Sequence, residues 1–226
     1  MRNTADAVNR NSGIAKRREK MDSIIFDVDG TIWDSTESVA AAWNKVIRES
    51  SDLDLTLEPA SLSRVFGKTM TEIANLLFPD LKPGKRMELL DRCFDEENRY
   101  LEDHPGVLYP GVASTIRSLS VKYPLYIVSN CQCGYIEVML RTTGLAPYIR
   151  GHLCFGETQA PKSRTILMLM EKYSLSSPVY VGDTQGDADA CKTAGIPFIF
   201  AAYGFGSVPD ADTCIHTFSD LAERYL

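Results

Sequence analysis

The sequence predicts an α/β protein: a doubly wound, mainly parallel sheet into which a helical domain is inserted. Three observations carry that prediction. From Tyr109 onward, short apolar runs alternate with helical periodicities, the signature of βαβ units. Ile24 to Phe26 is an apolar run with β-branched residues, followed by a Gly30-Thr31 turn signal, and it reads as a buried strand. Between these regions the apolar pattern is helical throughout. A chain of 226 residues holds either one large domain or a core with a smaller insertion, and 44% hydrophobic with 24% charged residues is ordinary for a globular protein.

Residues 1–20 are rich in Arg, Lys, Asn and Ser and lack apolar periodicity, so a disordered arm is expected there. Met21 stands just before the first strand, and an upstream extension or an internal start explains the arm as well as a functional basic tail does. Residues 21–35 and 106–226 are assigned to the α/β core and residues 36–105 to the helical insertion. Within the insertion, Val39, Trp43, Val46 and Ile47 recur at helical spacing. Pro59 opens a second helix that Gly67 closes, and Thr69 with Glu72 has capping-box spacing before Ile73, Leu76 and Leu77. A longer helix follows Pro83, with Leu89, Leu90, Cys93, Phe94 and Leu101 as its apolar face. The core then continues with helix 111–120, strand 125–128, a helix from Gly134 stopped by Gly144, a short strand 152–155 and helix 163–173. Strand 179–181, helix 187–194, strand 197–200 and a helix after Ser219 complete it.

A formal charge of −6 argues against a general nucleic-acid binder, which needs basic surface to meet phosphates. Small anionic substrates remain compatible with it where positive charge is gathered locally. No apolar stretch is long enough to span a bilayer and the polar N-terminus has no signal-peptide core, so a cytoplasmic protein without a membrane partner is expected. The six cysteines lack the paired spacing of a zinc site. Cys131 and Cys133 are the pair nearest the expected site, with redox regulation the minor reading and incidental thiols the default. Oligomeric state leaves no mark on the sequence.

The chemistry is expected at strand ends, because an open α/β sheet binds its ligand outside the carboxyl ends of its strands. Asp27 and Asp29 leave the first strand there. Turn propensity accounts for Asp29-Gly30, but it gives no reason to set Asp27 against an apolar strand, where an unpaired carboxylate is costly. Asp183 leaves its own strand in the same way, with Asp187 opening the following helix. Carboxylates converging on one crevice repel unless a hard cation neutralises them, and oxygen donors suit Mg2+ better than zinc. Ser129-Asn130 ends a strand before a helix and can meet an anion, although a plain helix cap is the simpler account. Lys162 starts a helix, where a cation opposes the helix dipole, and so hints at an anionic partner. A carboxylate, a cation, a lysine and a hydroxyl in one crevice suit phosphoryl transfer.

In order along the chain, Asp27-Val28-Asp29-Gly30-Thr31, Ser129, Lys162 and Gly182-Asp183-Thr184-Gln185-Gly186-Asp187 match the four motifs of the haloacid dehalogenase-like hydrolase superfamily. The resemblance spans Ile24 to Phe200, and the sequence is most similar to the phosphoglycolate phosphatase and β-phosphoglucomutase branch, whose helical cap follows the first motif. It implies a Rossmann-like core and a Mg2+-dependent phosphatase acting on a small phosphorylated metabolite. Asp27 would be the nucleophile that forms an aspartyl phosphate, and Asp29 the acid and base. Asp27, the Asp29 carbonyl and Asp183 would hold Mg2+, with Asp187 supporting it directly or through water. Ser129, Asn130 and Lys162 would bind the phosphoryl group, Thr31 would lie near it, and Arg64 or Lys68 in the cap would touch the substrate.

Asp29 separates this reading from a true dehalogenase, which in the family lacks the second aspartate and the metal. A phosphosugar mutase shares every catalytic residue and is the alternative enzyme. A phospho-receiver or a regulatory binding protein on the same fold is the alternative of another class, but a receiver has no use for an acid and base at Asp29 and carries no helical insertion.

Overall fold

The computed structural model describes residues 21–226, and the expected arm over 1–20 lies outside them. Its strands are β1 (Ser23–Phe26), β2 (Trp33–Asp34), β3 (Val107–Leu108), β4 (Leu125–Ser129), β5 (Ile149–Cys154), β6 (Pro178–Gly182), β7 (Phe198–Ala201) and β8 (Cys214–Ile215). Six of them form one sheet in the order β5-β4-β1-β6-β7-β8, with every pairing parallel. The central place of β1 explains its unbroken apolar run, because side chains on both faces are covered. Ile24 and Phe26 enter one core and Ile25 the other, as the period of a strand requires. Ile24 pairs with Leu125 on one side and Val179 on the other, so β1, β4 and β6 end within two residues of one another. The chain winds outward from β1 through β4 to β5, then crosses back to β6 and winds the other way. The switch point therefore lies at the carboxyl ends of these three central strands.

The helices are α1 (Thr36–Ser50), α2 (Pro59–Ser63), α3 (Met70–Leu77), α4 (Pro83–Asp103), α5 (Val112–Ser120), α6 (Tyr135–Thr143), α7 (Phe155–Thr158), α8 (Lys162–Tyr173), α9 (Gln185–Ala194) and α10 (Asp220–Tyr225). Ile166 and Leu169 of α8 with Ala190 and Cys191 of α9 cover the face of Ile25, while α5, α6 and α10 cover the face of Phe26. Helices α1 to α4 form the insertion, in which α1 packs along α4 through an edge contact of Trp43 on Phe94 with centroids 5.7 Å apart. The capping box at α3 is present: Thr69 N donates to Glu72 Oε2 at 2.9 Å and Glu72 N to Thr69 Oγ1 at 3.4 Å. The apolar residues of the insertion belong to the same continuous core as Ile24 and Phe26, so the two parts share buried surface.

The structure differs from the sequence expectations in five places. Strand β5 starts at Ile149 and ends at Cys154, and Phe155 begins α7. As an edge strand with one neighbour and an irregular register it needs no continuous apolar run, which hid its length. Helix α2 stops at Ser63, and Gly67, at φ 80°, closes the turn that follows rather than the helix. Helix α9 starts two residues before Asp187, because Thr184 is its cap. Strand β8 and the β2–β3 pair have two residues each, too few for any periodicity. That antiparallel pair matches Trp33 with Leu108 and Asp34 with Val107, binding together the two chain crossings of the insertion.

Candidate active site

Asp27, Ser129 and Asp183 stand at the carboxyl ends of β1, β4 and β6, within or just past the last residue of each strand. Asp27 is 2% exposed and Asp183 fully buried. Lys162, the first residue of α8, is 6% exposed and reaches across the crevice, its Nζ donating to Asp27 Oδ1 at 3.0 Å and Asp187 Oδ1 at 2.5 Å. A lysine disfavoured by the helix dipole is thus held by two carboxylates. Burial alone would lower its ammonium, but Asp187 and Asp27 outweigh this and hold it above the ordinary lysine range.

Asp187 serves two structures at once. Its Oδ2 accepts from Thr184 N at 3.0 Å and Thr184 Oγ1 at 2.7 Å, completing the capping box of α9, while Oδ1 takes Lys162. Asp183 Oδ2 accepts from Phe205 N at 2.7 Å, and Asp183 Oδ1 is buried with no partner. Gly30, at φ 76°, and Gly204 close over this carboxylate so tightly that a Cβ on either would collide with it.

Oxygens of Asp27, Asp183 and Asp187 lie within 4.8 Å of one another, and Lys162 is the only ammonium paired with them among the described residues. Burial pushes the Asp27 carboxyl up to about 7, with Lys162 pulling it down and Asp187 pushing it up. Burial, then Asp187 and Asp27, push Asp183 up to about 8. Three clustered carboxylates, one of them with an orphaned oxygen, fit a hard cation with oxygen ligands. Gly30 N donates to Trp33 O at 3.0 Å and Trp33 N to Val28 O at 3.3 Å, so the loop closes without using the Asp29 carbonyl.

The Asp29 side chain points away from this cluster. Its Oδ1 accepts from Tyr135 OH at 2.5 Å, Ser35 Oγ at 3.1 Å and Trp33 Nε1 at 3.1 Å, and none of these bonds uses Oδ2. Burial raises the Asp29 carboxyl to about 6, with the bonds from Tyr135, Ser35 and Trp33 drawing it back. Beyond Asp29 a narrow cleft of about 30 Å³ lies between the sheet and the insertion, walled by Trp43, Phe66, Ile73 and Phe94 and reached by Ser129 and Glu97.

Ser129 is buried on this cleft. The Asn130 side chain, expected at the phosphoryl group, donates from Nδ2 to Gly67 O at 2.8 Å and so ties β4 to the turn after α2, although the residue still lines the cleft. Lys68 is exposed on the cleft rim, and Arg64 is exposed farther out on a groove leading to Lys162. Thr31 is not among the cleft residues, and its hydroxyl is buried without a partner. All six cysteines are free. Burial raises the half-buried Cys131 thiol, which is in contact with Cys154.

Sequence reasoning missed Tyr135, Glu97 and Gln132. Tyr135 is 106 residues from its partner Asp29 and sits in an ordinary apolar helix pattern. Glu97 lies in a charged run of α4, with no sign that it alone points inward. Trp33 and Ser35 were within reach, being four and six residues past Asp29 in the motif loop.

The adjacent strand ends, the switch point and the clustered carboxylates with their lysine define a class, and residues 24–201 match the haloacid dehalogenase-like hydrolase family. The chain belongs to that family, as a phosphatase of its phosphoglycolate phosphatase-like branch. It is 28% identical over 221 residues to a phosphoglycolate phosphatase of Vibrio parahaemolyticus, covering 88% of this chain and 94% of the relative. It is 24% identical over 216 residues to that of Shigella boydii, covering 83% of each. Among solved structures, a haloacid dehalogenase-like family hydrolase from Streptococcus pneumoniae superposes with a TM-score of 0.76 at 18% identity, covering 91% of this chain and 99% of that one. A point mutant of CbbY from Rhodobacter sphaeroides, in complex with xylulose-1,5-bisphosphate, gives 0.75 at 17% identity, covering 89% and 96%. No helix among the described residues is long and apolar enough to cross a membrane.

Proposed function

We propose that the protein hydrolyses a small phosphorylated metabolite with Mg2+, through a phosphoryl group carried on Asp27. The observation that carries this reading is the division of labour at the end of β1: Asp27 faces Lys162 and the carboxylate cluster, while Asp29 turns to a separate set of donors with one oxygen left over. Asp27, Asp183 and the Asp29 carbonyl would hold the cation, with Asp187 fixing Lys162 beside it. Bound there, Mg2+ supplies charge neutralisation for a dianionic phosphoryl group.

An oxygen of Asp27 attacks phosphorus as the bond to the leaving oxygen breaks, and Asp29 delivers its proton to that oxygen. Water then attacks the same phosphorus, Asp29 takes the proton, and the bond to Asp27 breaks to release phosphate. A carboxyl raised to about 6 suits both directions of transfer near neutral pH. Lys162 and Ser129 meet the phosphoryl oxygens and offset charge that grows in the transition state. Helices α1 to α4 act as the cap that closes the cleft against water. The relatives named as phosphoglycolate phosphatases and the bisphosphate bound to CbbY support a small phosphorylated substrate.

The test is release of phosphate from p-nitrophenyl phosphate with Mg2+ or EDTA, for wild type, Asp27→Asn and Asp29→Asn. Full activity in either variant overturns the mechanism. Incubation with β-glucose 1-phosphate separates the mutase alternative, which would accumulate glucose 6-phosphate instead of free phosphate.

A further inference from the structure

We infer that Glu97 selects the leaving group, favouring alcohols that carry a hydrogen-bond donor, hydroxyl or ammonium, and turning away those that carry a carboxylate. The inference rests on the phosphatase reading above and goes past the substrate for which the relatives are named.

Glu97 is 4% exposed, projects from α4 and lines the same cleft as Asp29 and Ser129. Its Oε2 accepts from Trp43 Nε1 at 2.6 Å and its Oε1 from Gln132 Nε2 at 3.1 Å. Both donors are neutral, and no lysine or arginine pairs with Glu97 among the described residues. Each carboxylate oxygen has two acceptor positions, so each keeps one after these bonds. Burial raises this carboxyl to about 8, with Gln132 and Trp43 pulling it back, so a further donor reaching it would favour its ionised form.

On the proposed mechanism Asp29 stands beside the leaving oxygen, so the remainder of the leaving group extends toward Glu97 as the cleft widens to admit it. A carboxylate there would add a third acidic group beside Asp29 and Glu97, with only the exposed Lys68 at the rim as a cation, and its charge would oppose the ionisation of both. A hydroxyl or ammonium would instead donate to Glu97. Repulsion of one substrate and attraction of another act together in this arrangement.

Three esters of nearly equal size isolate the effect: 2-phosphoglycolate, 2-hydroxyethyl phosphate and O-phosphoethanolamine, assayed with Mg2+ on the full chain beside p-nitrophenyl phosphate. Wild type should show kcat/KM at least about tenfold higher on one or both donor-bearing esters than on 2-phosphoglycolate. In Glu97→Gln that ratio should narrow by about fivefold or more. A wild-type preference for 2-phosphoglycolate over both others overturns the inference without needing any variant, as does an unchanged ratio in a folded Glu97→Gln protein. Turnover of p-nitrophenyl phosphate in either case leaves the phosphatase reading standing. Failure to turn over any of the four esters removes that reading and this inference together.

Discussion

Asp27 and Asp29 leave the same strand two residues apart, yet the protein treats them in opposite ways. Asp27 faces the sheet crevice, where an ammonium and two further carboxylates surround it. Asp29 faces the insertion, where a phenol, a hydroxyl and an indole hold one oxygen and no cation is paired with it among the described residues. Charge is matched by charge on the crevice side and by neutral donors on the cleft side. Burial lifts both carboxyls, Asp27 to about 7 and Asp29 to about 6; on the proposed mechanism a cation held in the crevice would keep Asp27 ionised, while Asp29, with neutral donors alone, would stay free to change state.

The largest way to break the comparison is Asp27→Asn, which should reduce kcat on p-nitrophenyl phosphate by roughly 10⁴-fold or more. Asp29→Asn should cost roughly 10²- to 10⁴-fold, the range for a general acid and base. Rapid-quench detection of phosphate on Asp27 in that variant, with an activated ester, would sharpen the separation of roles.

Metal removal probes the crevice side. Asp27 and Asp183 have folded values of about 7 and about 8 against an ordinary 3.8, so without metal their contribution to stability is present at acid pH and is lost as pH rises through those values. In EDTA, thermal unfolding should therefore occur at a lower temperature at pH 8 than at pH 5. Saturating Mg2+ should recover about 3 kcal/mol at pH 8, or roughly 6–12 °C for a domain of this size. A midpoint in EDTA that rises over this range would contradict the cluster.

Tyr135→Phe probes the cleft side. The bond from Tyr135 lowers the Asp29 carboxyl, so its loss should raise that group by about one unit and move the acid limb of the pH–rate profile upward with it. Smallest should be Asn130→Ala, which removes the bond to Gly67 and costs about 0.5–1.5 kcal/mol, seen as a few-fold rise in KM with kcat nearly kept.

The crevice side was readable in the sequence because each of its residues sits at a strand end or helix start. Asp27, Lys162, Asp183 and Asp187 are positioned by local backbone, as is Ser129 on the neighbouring cleft, and the parallel sheet brings local signals together. The cleft side was not readable in the same way. Tyr135 reaches Asp29 through packing of α6 on Trp33, and Glu97 reaches the cleft through packing of α4 on α1 and α6, which no local pattern records. The two-residue strands were lost for a different reason, since a pair of residues has no period. Asn130 shows the limit from the other direction: its place in a motif was legible, but the bond of its side chain to Gly67 was set by the insertion.

The β2–β3 ribbon gives the insertion a single paired tether instead of two independent strings. Trp33 belongs to that tether and also donates its indole N–H to Asp29. Twisting the tether would therefore shift a donor on Asp29, whose carboxyl becomes a weaker acid when that bond is lost. On the proposed reading of α1 to α4 as a cap and of Asp29 as the proton carrier, movement of the cap would in this way change the acid strength of the residue that exchanges the proton.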